Sequence, residues 1–213
     1  MDKLKHPTVR REYTGIRKLP QLWESVRKNR LAAVALGGNQ PSPEGDSAAT
    51  LVAALRAISQ DIGGIVSVSR FFRTPAYPPG SGPDFVNAAA LVATDLDASA
   101  MLSGLHAIEA RFARKRDLRW GARTLDLDLV AFGDAVLPDP ATEEHWRTLP
   151  PARQSVETPD RLILPHPRLQ DRAFVLIPLA EIAPGWRHPV TGRSVAKMLE
   201  ALPEADKAAI CPI

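Results

Sequence analysis

The sequence predicts an α+β fold, and the order and periodicity of its apolar segments are the observations that predict it. Segments patterned like strands and segments patterned like helices follow one another as strand, helix, strand, strand, helix, strand. This βαββαβ order is that of the ferredoxin-like arrangement, an antiparallel sheet with two helices on one face. Helical additions are expected at the C-terminal end. We expect the other face of the sheet to be free for a ligand.

Four segments are predicted to be strands. Residues 31–36 form a continuous apolar run that ends at a Gly-Gly-Asn turn. Residues 65–72 are rich in β-branched and aromatic side chains, and residues 85–92 follow a loop rich in proline and glycine. In the fourth segment, residues 125–130, leucine alternates with aspartate, which is the period of a strand with one buried face.

Two segments are predicted to be helices. The first begins near residues 46–47, where an aspartate or a serine can cap it, and residues 51–62 place apolar side chains at helical spacing. The second begins near residues 97–99 and keeps the same spacing over 101–112. Glu109 lies beside the apolar stripe of this second helix.

The charge of the chain is unevenly distributed. The 213 residues carry a formal net charge of +3, but residues 1–30 alone hold nine lysines and arginines against three acidic residues. The rest of the chain is therefore mildly acidic. We interpret the positive charge as a property of the N-terminal extension, residues 1–30, and not of a nucleic-acid-binding surface. We therefore expect no nucleic-acid partner. An RNA-binding sheet is the alternative, although the aromatic-rich signature of the RNA-recognition motif is absent.

Composition also predicts domain organisation and location. We expect a basic extension over residues 1–30 and one domain over 31–213, interrupted by a proline-rich insertion at 135–161. No apolar run has the length of a membrane span or the features of a secretory signal. The single cysteine, Cys211, fits a reducing compartment. The expected protein is cytoplasmic, without a membrane partner, and a monomer or weak dimer.

The alternating segment places two carboxylates side by side. Because side chains alternate along a strand, Asp126 and Asp128 share one face. Neighbouring carboxylates suit a hard cation such as Mg²⁺, whose coordination is usually completed by substrate phosphates. Arg119 and Arg123 lie beside the pair, which favours a magnesium-phosphate site over the alternative of a solvated strand face.

Three further features suggest ligand contacts, each with a structural alternative. Phe85 and Asn87 lie two residues apart and suit a flat heterocycle, although cross-strand packing explains the same pattern. The arginines and lysine of residues 111–119 form either a phosphate clamp or a solvated helix end. His166 stands between two prolines that stiffen its backbone, which suits a phosphate contact, but an isolated histidine is more often structural.

Several motifs together resemble one enzyme family, over roughly residues 31–201. The segments that carry the resemblance are Leu-Gly-Gly-Asn at 36–39, Thr-Pro at 74–75, Phe-Val-Asn-Ala-Ala at 85–89, Arg-Trp-Gly-Ala-Arg-Thr-Leu-Asp-Leu-Asp at 119–128 and Leu-Pro-His-Pro-Arg at 164–168. They resemble the 6-hydroxymethyl-7,8-dihydropterin pyrophosphokinases. The resemblance implies an enzyme of folate biosynthesis that moves diphosphate from ATP onto the pterin hydroxymethyl oxygen, with two Mg²⁺ ions. A nucleotidyltransferase that uses the same Asp-x-Asp pair on another acceptor is the alternative.

The resemblance also implies roles for individual residues. Asp126 and Asp128 look like the ligands of both metal ions. Residues similar to the pterin contacts of the family are Thr74, Pro75, Tyr77, Phe85, Asn87 and Phe174. Residues similar to its nucleotide contacts are Glu109, Arg116, Arg119, Trp120, Arg161, His166 and Arg172. Arg114 and Arg123 would neutralise charge on the transferring group. Gly38 stands where serine is usual in the family.

Overall fold

The computed structural model describes residues 31–76, 80, 82–112, 123–154 and 156–213. The predicted basic extension, residues 1–30, lies outside this described part. The described residues form a six-stranded sheet with helices on both faces. The strands are β1 (Leu31–Gly38), β2 (Gly64–Val68), β3 (Phe72–Thr74), β4 (Phe85–Ala93), β5 (Asp126–Phe132) and β6 (Cys211–Pro212). The helices are α1 (Ser47–Asp61), α2 (Ala98–Arg111), α3 (Pro140–Arg147), α4 (Pro151–Gln154), α5 (Ala173–Ile182), α6 (Val195–Ala201) and α7 (Glu204–Ala208).

The sheet has the order β5-β1-β4-β3-β6, and β2 also pairs with β4. Every pairing is antiparallel, and β1 lies between β4 and β5. The first helix begins at Asp46, whose carboxylate accepts the Ala49 N–H, and the second begins at Asp97, which caps Ala100 in the same way. The predicted α+β, ferredoxin-like arrangement is confirmed.

Two apolar cores lie on opposite faces of the sheet. On one face, Leu36 and Leu127 pack against α1 and α2. On the other face, Leu91 of β4 packs against Leu176 and Leu179 of α5, and α6 completes this second core. The expectation of a free second face is therefore wrong where α5 and α6 bury their apolar sides against the sheet. Asp126 and Asp128, at the start of β5, lie outside this second core.

Residues 65–72, predicted as one strand, belong to two strands with a break between them. Ser69 causes the break: its backbone N–H donates to the Ala89 carbonyl at 2.9 Å, while its Oγ accepts the Ala89 N–H at 2.9 Å. A side-chain oxygen thus replaces the next backbone acceptor of the ladder. As a result, β2 pairs with the C-terminal half of β4 and β3 pairs with its first three residues.

The proline-rich segment 135–161 contains helices α3 and α4. A buried polar cluster attaches α3 to the C-terminal part of the chain. The Glu143 carboxylate is fully buried, accepts a hydrogen bond from Arg147 Nε at 3.1 Å and lies 3.4 Å from His188 Nε2. Burial raises the pKa of Glu143, and burial followed by the nearby Arg147 charge lowers the pKa of His188 from 6.5 to about 4. At neutral pH the cluster therefore combines the Glu143–Arg147 ion pair with the neutral imidazole of His188.

Among the helices of the described ranges, none has the length and apolarity needed to cross a membrane.

Candidate active site

The register of strands β4, β1 and β5 places five residues on the face of the sheet that carries α5, close to the first turn of that helix. Asp126 of β5 lies opposite Gly37 of β1, and Gly37 lies opposite Asn87 of β4. Asp128 lies opposite Ala35 in the same way. Side chains of paired residues project from the same face of a sheet. Both carboxylates and the Asn87 amide therefore share one face, and the two small residues keep the space between them open.

These residues line an open cleft between the sheet and the first turn of α5. Its lining residues are Ala35, Leu36, Gly37, Asn87, Asp126, Asp128, Phe174 and Val175. The Phe174 side chain is 37 % exposed although it is large and apolar. An accessible aromatic ring facing small residues and an amide can hold a flat, polar heterocycle by stacking and hydrogen bonding.

Each carboxylate of the pair contacts one guanidinium group. Arg123 Nη1 lies 2.5 Å from Asp126 Oδ2, and Arg172 Nη1 donates to Asp128 Oδ2 at 3.3 Å. The Arg172 guanidinium also lies over the Phe174 ring, 5.7 Å from its centroid. The Asp126 and Asp128 side chains stay 22 % and 37 % exposed, so both remain accessible to a cation from the cleft.

His166 is held beside the outer edge of β5. Its backbone N–H donates to the Val130 carbonyl at 2.8 Å, and its Nδ1 accepts the Arg168 N–H at 3.1 Å. Burial, then the Arg172 and Arg168 charges, lower the pKa of His166 from 6.5 to about 3, against an opposing effect of Asp126. The imidazole is therefore neutral, and because Nδ1 is an acceptor its proton is on Nε2.

Asn39 was missed by the sequence interpretation as a residue of the site. Its Oδ1 accepts the Arg123 N–H at 2.8 Å, its Nδ2 donates to the Pro83 carbonyl at 3.0 Å, and its own N–H donates to the Arg123 carbonyl at 2.8 Å. The side chain is buried. One amide therefore fixes both the segment that precedes β5 and the loop that precedes β4. The available signal was a polar residue directly after a fully apolar strand.

The predicted pterin contacts are only partly brought together. Asn87 Nδ2 donates to Thr74 Oγ1 at 3.0 Å, which joins the end of β3 to the cleft, and Pro75 is exposed just beyond. Phe85 is half-buried opposite Thr74 at the start of β4 and does not line the cleft formed by the described residues. Tyr77 lies outside the described part of the chain.

The predicted nucleotide contacts also differ in position. Arg172 and His166 lie at the site, whereas the exposed Arg161 pairs with its neighbour Asp160 at 2.9 Å. Glu109 is 2 % exposed and does not line the cleft; its Oε1 accepts a backbone N–H of β5. The remaining predicted residues, Arg114, Arg116, Arg119 and Trp120, lie outside the described residues.

Comparison with known proteins adds independent information to this geometry. The sequence matches the profile of the family described as "7,8-dihydro-6-hydroxymethylpterin-pyrophosphokinase (HPPK)" over residues 33–184. A Synechocystis protein named 2-amino-4-hydroxy-6-hydroxymethyldihydropteridine pyrophosphokinase is 35 % identical over 182 residues, which cover 85 % of this chain and 80 % of the relative. A Pseudomonas aeruginosa protein of the same name is 38 % identical over 170 residues, covering 80 % and 90 % of the two chains.

A solved structure shares the fold. The crystal structure titled Plasmodium falciparum HPPK-DHPS wild type superposes with a TM-score of 0.58 at 14 % identity, over 80 % of this chain. The matched region spans 44 % of that longer chain. Because the profile covers most of the described sequence and the curated relatives exceed one third identity, the chain belongs to the 7,8-dihydro-6-hydroxymethylpterin-pyrophosphokinase family.

Proposed function

We propose that the cleft beside Asp126 and Asp128 is where this enzyme transfers diphosphate from ATP to the hydroxymethyl group of 6-hydroxymethyl-7,8-dihydropterin. Pyrophosphoryl transfer from ATP in folate biosynthesis is the activity of the family to which the chain belongs. One observation carries the assignment to this cleft. The two carboxylates border the same open space as the Asn87 amide and the Phe174 ring. Carboxylates suited to a metal–phosphate complex thus lie next to an amide and an aromatic ring suited to a heterocycle.

The pterin would occupy the part of the cleft above Gly37. Phe174 supplies the stacking surface, and the amide of Asn87 supplies the hydrogen bonds to the polar edge of the ring. The bond from Asn87 Nδ2 to Thr74 leaves Oδ1 directed toward the space above Gly37, since a Cβ built on Gly37 would lie 2.7 Å from Oδ1. An acceptor in this position suits the amino and ring N–H groups of a pterin.

The donor set of the Asp pair fits magnesium. The described residues contain no group of three or more histidine, cysteine, aspartate or glutamate side chains arranged to hold a metal ion. Two carboxylates and the oxygens of a triphosphate match the coordination that Mg²⁺ prefers, and we propose two ions held by Asp126 and Asp128. When bound, the ions supply Lewis-acid stabilisation of negative charge on phosphate oxygens.

The remaining residues of the site contribute charge and orientation. Arg123 and Arg172 contact the carboxylates and are within reach of phosphates bound there, where a guanidinium can neutralise charge that develops during transfer. His166 presents Nε2–H as a neutral donor and is not a general base, because its basic Nδ1 already accepts the Arg168 N–H. Positioning and charge stabilisation are the main protein contributions to such transfers.

Removal of either carboxylate tests the proposal. Asp126→Ala or Asp128→Ala should abolish formation of AMP from ATP, Mg²⁺ and the hydroxymethyl pterin, with the unfolding midpoint nearly unchanged. Asp134→Ala is the matched control, because Asp134 is an exposed acidic residue just after β5. Turnover at the wild-type rate by either variant would refute the assignment. Release of pyrophosphate in place of AMP would identify a nucleotidyltransferase.

Four further statements stay predictions from the sequence. They are the division into a 1–30 extension and a 31–213 domain, the absence of a nucleic-acid partner, the cytoplasmic location, and the monomeric or weakly dimeric state. Size-exclusion chromatography with light scattering tests the last of these.

A further inference from the structure

We propose that Glu109 is a positioning residue, whose carboxylate fixes the backbone between Asp126 and Asp128 and thereby the direction of both metal-binding side chains. The proposal rests on the proposed function of the Asp pair. It gives Glu109 a role through the strand, distinct from the nucleotide contact that the family resemblance implies for this position.

The anchoring contact joins helix α2 to an edge strand. In the described residues β5 is the outer strand of the sheet on this side, paired only with β1. The Leu127 N–H donates to Glu109 Oε1 at 2.8 Å. A backbone donor on a sheet edge needs a partner when it is buried, and here a side chain supplies it. The Glu109 carboxylate therefore supplies the hydrogen-bond acceptor that a neighbouring strand would otherwise provide for the Leu127 N–H.

The position of Leu127 explains why this bond controls the Asp pair. Leu127 is covalently bonded to both Asp126 and Asp128, and its own side chain is buried in the core opposite Leu36. Its amide and side chain are thus held from two directions. Any rotation of the strand about its axis would turn both carboxylates away from the cleft together, because neighbouring side chains alternate across the strand.

Glu109 is suited to a fixed role because of its own surroundings. It lies in the last turn of α2, 2 % exposed, next to Ile108 in the core between sheet and helices. A buried carboxylate accepting an N–H makes a short, directional hydrogen bond. His166 makes the second attachment to the outer edge of β5, at Val130. The two attachments lie on either side of Asp128.

Two substitutions separate the hydrogen bond from the charge. Glu109→Gln keeps an acceptor of nearly the same shape, whereas Glu109→Leu keeps the volume and removes the acceptor. The first measurement uses the unliganded protein: amide hydrogen exchange of Leu127 in a ¹⁵N-leucine-labelled sample. The second is Mn²⁺ affinity in the presence of a non-hydrolysable ATP analogue. Glu143→Gln is the matched control, because Glu143 is equally buried but belongs to the cluster under α3.

The expected results form a pattern. Glu109→Gln should retain slow exchange at Leu127 and Mn²⁺ affinity close to that of the wild type. Glu109→Leu should accelerate exchange at Leu127 and weaken Mn²⁺ binding by about 10- to 100-fold, the range measured when residues that orient metal ligands are changed. Affinity for the pterin should not change. The Glu143→Gln control should lower stability without changing Mn²⁺ affinity.

Three outcomes would overturn the proposal. One is faster Leu127 exchange in Glu109→Leu with unchanged Mn²⁺ affinity, because the bond would then not control the ligands. Another is a raised KM for ATP with unchanged Mn²⁺ affinity, which would make Glu109 a nucleotide contact. The third is weak Mn²⁺ binding by Glu109→Gln with Leu127 still protected, which would implicate the charge. Failure of the proposed function would appear differently, as absence of AMP formation by the wild type.

Discussion

Gly37→Ala is the substitution that most directly tests where the heterocycle binds. Gly37 lies between Asp126 and Asn87 in one row of the sheet. A Cβ at this position would lie 2.7 Å from Asn87 Oδ1, whereas ordinary van der Waals contact begins near 3.4 Å. The amide must therefore move by about 0.7 Å or rotate, and its hydrogen bond to Thr74 must lengthen or break.

The size of the effect follows from these two changes. Loss of one intramolecular hydrogen bond costs about 1 kcal/mol net. Forcing the Asn87 side chain away from its preferred rotamer costs about 1 kcal/mol more. Because both costs are present with and without ligand, together they lower the free energy of unfolding by about 2 kcal/mol. The displaced amide also loses its hydrogen bond to the polar edge of the pterin, and about 1 kcal/mol for that bond corresponds to a roughly fivefold loss of pterin affinity. Nucleotide affinity should change little, because the Asp pair and its arginines are not displaced.

The assay is calorimetric titration of the pterin into protein saturated with Mg²⁺ and a non-hydrolysable ATP analogue. Gly64→Ala is the control, because it makes the same change in β2 of the same sheet, where an added Cβ meets nothing within 4 Å. This control should bind the pterin like the wild type and be equally or slightly more stable. Unchanged pterin affinity in a folded Gly37→Ala variant would refute the placement of the heterocycle above Gly37.

Two further predictions concern stability. Gly38→Ser should lower the free energy of unfolding by about 2 kcal/mol in urea titrations, because its Cβ would lie 2.5 Å from the Thr124 carbonyl oxygen. An unchanged unfolding midpoint would show that the backbone before β5 can move away from the added side chain. Lowering the pH from 6.5 to 4.5 should cost up to about 2 kcal/mol, because the unfolded chain protonates His188 in this window while the folded protein, with a pKa of about 4, does not. The raised pKa of Glu143 offsets part of this loss. His188→Asn should flatten the dependence, and equal acid sensitivity of variant and wild type would contradict the reasoning.

The sequence predicts the elements that depend on local periodicity. Both helices begin at an aspartate within the predicted starting residues, and the strand at 85–92 is observed at Phe85–Ala93. The break at Ser69 was not predictable in this way, because it depends on a hydrogen bond to Ala89 in another strand. The hydroxyl oxygen of Ser69 interrupts the strand pairing, although the sequence of residues 65–72 is typical of one continuous strand.

The candidate site shows the same division between local and long-range information. Alternation along the strand correctly predicts that Asp126 and Asp128 share a face, since this depends on local backbone geometry alone. The docking of α5, which brings Phe174 to the cleft, depends on a second core between distant segments. The burial of Glu109 depends on the crossing of α2 with β5, and its position beside the apolar stripe gave only a weak indication of this.

The pairing of each aspartate with an arginine affects how the nucleotide meets the protein. In the unliganded molecule Arg123 and Arg172 already balance the two carboxylates, so the cleft does not repel a polyphosphate on approach. It also offers little attraction to a bare divalent ion, which must compete with a guanidinium for each oxygen. The metal ion and the triphosphate are therefore expected to enter the cleft as one complex. Arg123 and Arg172, displaced from the carboxylates, can then pair with the phosphate oxygens of the bound nucleotide.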